Sequence, residues 1–442
     1  MTEGNIVRHL ITFAIPLLLG NLFQQLYNTV DAWTVGKFAS NEAYSAVGSV
    51  GPIINMLIGI FLGLASGAGV VISQSYGAKQ FQKVKEAVHT SMALTLILAV
   101  IFTFLGIALA PVMLKMMKMP DEVIPEATTY LTIYFAGVTG LMVYNMGAGI
   151  LRAVGDSKRP FVYLVVAAVL NTVLDLVFVI VFEMGVMGVA LATVISQSVS
   201  AILVLITLFR SESCIKIYLR DIKINFIQLK LIMRVGIPAA LQMAITSFSN
   251  IFVQSYINHF GVDCMGGWTT YTKLDQFMFL PMQSVSLAAT TFMGQNLGIG
   301  NVERAKKGVR VASVMSLICT AAIMLPLVFF APFFGAIFND KPEVIEYSTI
   351  LLRWMSPFYL LCCFNQVYSA ALRGAGNSKV PMIIMLCSFV LFRQVYLFVM
   401  ANFICNEIIP IAMGYPAGWA VCSAATLIYY KKTDLLKTKL VS

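Results

Sequence analysis

Two aspartates in this 442-residue chain stand where a charge is costly. Asp31 lies in QQLYNTVDAW and Asp175 in VLNTVLDLVF, each inside a mostly apolar run. A lone carboxylate at the centre of a membrane helix costs roughly 2.5–3.5 kcal/mol, so such a residue persists where it is used or neutralised. No Lys or Arg falls inside the apolar runs of the first half to neutralise either one. Two such carboxyls brought together can share a proton, or hold a hard cation through their oxygens. Asn171 precedes Asp175 by four residues, so both project from one face of a helix. Thr193 in the following run can add a hydroxyl. Gln24, Tyr27 and Asp31 recur at spacings of three and four, which makes one polar stripe. Asn145 and Gln366 place amides at equivalent positions of two different runs. In the second half Asp275 lies two residues from Lys273, and Arg393 stands in a later run; the trio reads as an internal ion-pair network. Candidate cation ligands are therefore Asp31, Asn171, Asp175 and Thr193. Candidate cleft residues are Gln24, Tyr27, Asn145, Gln366 and Asp275.

The elements that must carry these residues are membrane helices. Hydrophobic residues make up 59% of the chain, charged residues only 11%, and the mean hydropathy is +0.84. Soluble domains carry roughly 25% charged residues. A spanning helix needs about 20 mostly apolar residues. Twelve runs qualify, near 10–36, 51–73, 88–114, 128–150, 160–182, 186–209, 232–257, 268–292, 308–336, 346–371, 381–403 and 408–430. The expected fold is an all-α membrane protein of about twelve helices with no sizeable extramembrane domain. The run after Arg8 continues past residue 30 and reads as the first span rather than a cleavable signal.

Charge fixes the expected orientation. The net charge is +10, and 23 of the 30 Lys and Arg fall in the two termini and the loops on their side. The opposite loops hold four, Lys37, Lys115, Lys118 and Lys341. That asymmetry predicts a multi-pass protein of the cytoplasmic (inner) membrane with both termini in the cytoplasm. It also accounts for the basic balance without nucleic acid.

The chain repeats itself. Residues 151–160 read LRAVGDSKRP and residues 372–381 read LRGAGNSKVP, identical at six of ten positions and offset by 221. The same offset pairs Gln74 with Gln295 and Gly77 with Gly298, while Ile15-Pro16 pairs with Ile237-Pro238 at 222. Each repeat holds six spans, an even number, so two lobes of like topology are expected, 1–221 and 222–442, related by an axis along the membrane normal. A central cleft between two such lobes is the architecture of a transporter. Pro16, Gly20 and Pro238 interrupt the first and seventh spans, as proline does in any helix.

Other chemistries lack their residues. The eight cysteines contain no C-x-x-C spacing and lie mostly in apolar runs; the three histidines form no H-x-x-x-H pair. A metal site is not expected. GLASGAG (63–69) is followed by no G-K-[ST] and reads as close helix packing rather than a phosphate loop. No catalytic constellation suggests an intramembrane enzyme.

The paired LRAVGDSKRP and LRGAGNSKVP segments follow the fourth and tenth spans. Gln74-Ser-Tyr-Gly-Ala and Gly294-Gln-Asn-Leu-Gly follow the second and eighth. Together with the doubled layout they resemble the multidrug and toxic compound extrusion (MATE) family over nearly the whole chain. The resemblance implies antiport, with protons or sodium entering while small, often aromatic organic cations leave. It implies no cofactor beyond the coupling ion. Its partners would be small organic cations and membrane lipids, with one chain forming the whole path as a monomer. Within the family the chain is most similar to the DinF-type branch. Asp31 matches that branch's first-helix aspartate, Asn171 and Asp175 its Asn-x-x-x-Asp pair, and Thr193 its sixth-helix threonine. The NorM-type branch relies on acidic residues in the seventh and tenth helices, whose interiors here hold none; Glu346 stands at an edge. A flippase of lipid-linked saccharides is the alternative within the broader superfamily. It would call for a cleft rich in Arg or Lys, whereas only Lys273, Arg353 and Arg393 fall within spans here.

Overall fold

The computed structural model describes residues 1–38, 41–116, 119 and 121–440, and these contain helices and connecting segments but no strand. Lys118, one of the four basic residues expected on the opposite side, lies outside the described residues. A chain this apolar has no water to satisfy its backbone within lipid, so each span closes its own hydrogen bonds as helix.

In the first half, α1 (Ile6–Phe38), α2 (Asn41–Gly77) and α3 (Phe81–Met116) are long single helices. α4 (Ile124–Ala136) and α5 (Val138–Ala153) form one pass bent by 48°. α6 (Lys158–Leu176) continues into a π-helical turn over Val177–Val181, and α7 (Gly185–Arg210) closes the half. The second half opens with α8 (Phe226–Asn258), α9 (Val262–Gly298) and α10 (Val302–Phe329), the last prolonged by α11 (Ala331–Phe338). α12 (Pro342–Met355) and α13 (Tyr359–Gly374) flank a 3₁₀ turn. α14 (Lys379–Met385) and α15 (Arg393–Val399) are joined by the π-helical segment Leu386–Phe392 and followed by another, Met400–Ile404. α16 (Ile408–Ala412), α17 (Gly414–Lys432) and the short α18 (Leu435–Thr438) end the chain. Grouped in this way, the helices make the twelve expected passes. Among the described residues, nine are long and apolar enough to span alone, and ten with the bent pair. The other two, α9 and α12–α13, are more polar; α9 alone carries Asp263, Lys273 and Asp275.

The chain packs as two compact units, Ile15–Gly236 and a second made of Met1–Ala14 with Ile237–Ser442. The first 14 residues therefore belong with the second half, and the segment up to Gly236 with the first. α1 changes unit at Ile15 and α8 at Ile237, each next to a proline, Pro16 and Pro238.

Each unit fastens the segment that leads into its share of the crossing helix. In the first-half unit, the connection before α8 lies along α3. There Tyr218 N donates to His89 Nε2 (3.0 Å), Asn225 N to Thr90 Oγ1 (3.1 Å) and Asn225 Nδ2 to Glu86 (3.2 Å). Lys85 pairs with Asp221 at 2.8 Å and, by that hydrogen bond, holds its carboxyl below the usual range. In the other unit, the Arg304 guanidinium donates to the carbonyls of Met1, Glu3 and Gly4. Small residues allow a close backbone approach in the first-half unit. A Cβ on Gly67 would fall 2.4 Å from Ile232 O and 2.7 Å from Gly236 N, so the GLASGAG stretch brings α2 onto the start of α8 backbone to backbone.

Candidate functional site

α6 buries two polar side chains on one face, Asn171 and Asp175, at 1% and 0% exposure. They are four residues apart, which is one helical turn. α1 packs against this helix. A Cβ on Gly20 would sit 3.3 Å from Leu164, and the Phe23 and Phe161 rings are 6.2 Å apart. Along the stripe exposure falls from Gln24, exposed, through Tyr27, half-buried, to Asp31, buried, and the Asp31 carboxyl comes within hydrogen-bond reach of the Asp175 carboxyl. α7 packs along α6 and buries Thr193.

Buried polar atoms of this unit are short of partners. No protein donor reaches Asp31 Oδ1 or either oxygen of Asp175, and the Asn171 amide and the hydroxyls of Thr34 on α1 and Thr193 on α7 likewise lack a hydrogen bond. Native interiors leave few such groups, and here they share one unit. Two carboxylates facing each other away from water repel strongly unless a positive charge lies between them. The available ligands are carboxylate, amide and hydroxyl oxygens, the donor set that suits a proton or a hard cation.

Tyrosines lie near the pair. Tyr27 hydrogen-bonds Gln24 and lies within electrostatic reach of Asp31, Asp175 and Tyr144. Tyr130 reaches both aspartates, and Tyr134 neighbours Tyr27 and bonds Gln197. The Tyr130 and Tyr134 rings stack at 6.2 Å on α4. Sequence reasoning singled out Tyr27 but missed Tyr130, Tyr134, Tyr144 and Gln197. The four-residue spacing of Tyr130 and Tyr134 in one span was the available signal. Asn145 is half-buried and donates to Leu141 O within its own helix (2.9 Å). Gln366 is half-buried on α13, in the other unit.

The second half departs from expectation. Asp275 accepts a hydrogen bond from Tyr359, whose hydroxyl also meets that of Tyr271 at 2.7 Å. Lys273 is exposed and lies over the Phe338 ring. Arg393 is buried and donates to Ser249 and Asn250. Among the described residues no ion pair joins Asp275, Lys273 and Arg393, so the expected network does not form. Lys273 follows its helix surface outward, and Arg393 lies among neutral groups.

The MatE family model matches residues 16–177 and again residues 238–399. The chain belongs to the MatE family. Both matches begin at the helix prolines and are offset by 222, so the internal repeat is the family unit used twice. As a MatE protein, the multidrug and toxic compound extrusion family, it is a polytopic membrane transporter and not an enzyme. "Probable multidrug resistance protein YpnP" of Bacillus subtilis is 28% identical over 97% of this chain and 96% of its own length. "Probable multidrug resistance protein NorM" of Thermotoga maritima is 26% identical over 90% of this chain and 86% of its own. A solved MOP superfamily transporter of Pyrococcus furiosus superposes with a TM-score of 0.92 at 24% identity, covering 97% of this chain and 96% of that one. That likeness establishes the fold shared with MatE transporters.

Proposed function

We propose that this MatE protein is a proton- or sodium-coupled antiporter that exports small, often cationic organic compounds by alternating access. The observation that carries the reading is the buried pair Asp31–Asp175, with Asn171 one turn from Asp175, whose buried carboxyl oxygens Asp31 Oδ1 and both of Asp175 lack protein donors. Cation binding there biases the first-half lobe towards one conformation and substrate towards another. Coupling requires only that each ligand bind the two states unequally. Gln24, Tyr27, Asn145, Gln366 and Asp275 are the cleft residues assigned to substrate. The match of Asp31, Asn171, Asp175 and Thr193 supports the DinF-like branch. The distribution of Lys and Arg supports a cytoplasmic membrane with both termini inside. One chain containing both repeats supports a monomer with no cofactor beyond its coupling ion. The names of the relatives, two of them probable multidrug resistance proteins, support export of drug-like compounds.

The test is uptake of a fluorescent organic cation into inverted vesicles, driven separately by a proton and a sodium gradient, with Asp31→Asn and Asp175→Asn alongside at equal expression. One gradient should drive uptake, and both variants should abolish it. Unchanged uptake in both variants would sink the site assignment. If neither gradient drives uptake by folded protein, drug export is sunk, and lipid-linked saccharides become the substrates to try.

A further inference from the structure

The second half repeats the framework of the carboxylate site with a different charge. Counted from the two prolines, α1 and α8 keep register at an offset of 222, which sets Tyr27, Asn28 and Asp31 against Ser249, Asn250 and Val253. Burial follows the same register: Leu10, Phe13, Asp31 and Val35 are buried in one helix, and Ile232, Val235, Val253 and Ile257 in the other. α6 and its counterpart begin at an offset of 221. Buried Ala167 and Ala168 stand against buried Ser388 and Phe389. The next buried positions are Asn171 and Asp175 in the first half, Arg393 and Leu397 in the second, now at 222. The π-helical segment Leu386–Phe392 ends where the residue is gained, and an i→i+5 turn is how a helix takes in one extra residue without ending. Val253 and Leu397, both fully buried, thus stand where Asp31 and Asp175 stand, and Arg393 stands in the place of Asn171.

Arg393 has no counter-charge. It is 2% exposed, and no carboxylate among the described residues pairs with it. Its Nη2 donates to Ser249 Oγ (2.5 Å) and Asn250 Oδ1 (3.1 Å). The guanidinium lies 4.5 Å from the centre of the Tyr415 ring and 5.5 Å from that of Phe389. Its Nε has no acceptor. Neutral oxygens and ring faces are groups that hold a cation, and Ser249 and Asn250 occupy the positions of Tyr27 and Asn28.

We infer that Arg393 is a tethered cation: its guanidinium fills the second-half copy of the cation site, so that this copy is permanently occupied and only the Asp31–Asp175 copy exchanges ions. The inference rests on reading the first-half pair as a cation site. It gives the two carboxylates no counterpart because the charge they would attract is already supplied by the chain. The transporter then has one exchangeable site per two repeats, and its halves respond differently to the same ion.

The experiment is thermal unfolding of the purified full chain in detergent, without gradient or substrate, for Arg393→Lys, Arg393→Gln and Arg393→Ala. Gln keeps a hydrogen-bond donor for Ser249 and Asn250 but no charge; Lys keeps the charge but not the fork. Lys should unfold close to wild type and Gln several degrees lower, or prove too unstable to isolate. Added guanidinium chloride at millimolar concentration should raise the midpoint of the Ala variant, with equal sodium chloride or urea raising it less and wild type unaffected. A Gln variant as stable as the Lys variant would overturn the inference, as would an Ala variant that guanidinium helps no more than sodium. If the Ala variant does not fold, the Lys–Gln comparison decides. Because no ion gradient enters this measurement, its failure is distinct from a failure of coupling at Asp175.

Discussion

Replacing Asp175 by Asn removes one of two facing charges while keeping the shape of the side chain. Asp175 is fully buried, Asp31 is 7% exposed, and no donor reaches either oxygen of Asp175. Two unit charges about 4 Å apart repel by about 4 kcal/mol at an effective dielectric of about 20. Whatever cation the pair accepts relieves that repulsion and binds the folded state alone. A ligand at 100 times its Kd then adds about 2.7 kcal/mol of stability. Wild-type protein, purified in detergent and unfolded thermally, should gain on that scale when the coupling cation is raised to saturation against an inert choline background. Asp175→Asn should be the more stable of the two without cation, by at most about 4 kcal/mol, and should gain nothing on adding it. Transport driven by that cation should be lost in parallel. A variant that keeps the full cation-dependent gain would refute the reasoning, because the ion would then be bound elsewhere.

Three further outcomes follow from the packing. Gly67→Val forces a side chain into the carbonyl of Ile232 and the backbone of Gly236; overpacking of this kind costs about 1–3 kcal/mol or more, read as a lower unfolding midpoint and a poorer yield of monodisperse protein. Asn225 Oδ1 accepts from the backbone N–H groups of Ile227 and Gln228 at the start of α8. Asn225→Ala should cost about 0.5–2 kcal/mol in the same assay, whereas Asp221→Asn, at an exposed ion pair, should cost about 1 kcal/mol at most. Tyr359→Phe removes the donor to Asp275 and should destabilise by about 1–3 kcal/mol, an effect that Asp275→Leu in the same chain should reduce.

The twelve passes were legible because lipid imposes one requirement on every span, a long apolar run, and only the more polar α9 and α12–α13 blur it. Asp31, Asn171 and Asp175 were legible for the complementary reason: a carboxylate in such a run is expensive, and helical spacing alone put Asn171 and Asp175 on one face. Tyr130 and Tyr134 were not, since a tyrosine in a membrane helix is ordinarily packing and nothing local says that the bent α4–α5 pass turns Tyr130 towards the aspartates and Tyr134 towards Tyr27. The trio Asp275, Lys273 and Arg393 misled for a related reason. Proximity along the chain and shared membrane location do not set side-chain direction, and Tyr359, far away in sequence, took the carboxylate. Both repeat offsets, 221 and 222, were visible in the sequence. The place where one gives way to the other depends on a π-helical segment that apolar periodicity does not mark.

The exchange of helix starts bears on how this protein is made. Met1–Ala14 are synthesised long before Ile237 yet pack with the unit whose remainder begins there, and the first-half unit is incomplete until Gly236 has been synthesised. Neither half can finish alone. The opening turns of α1 must wait in the bilayer for more than half of the chain, and the five spans that follow α1 reach their final packing only after the next repeat has begun. A gene cut at the repeat boundary would yield two polypeptides, each missing a strip of its own core and carrying a strip of the other's.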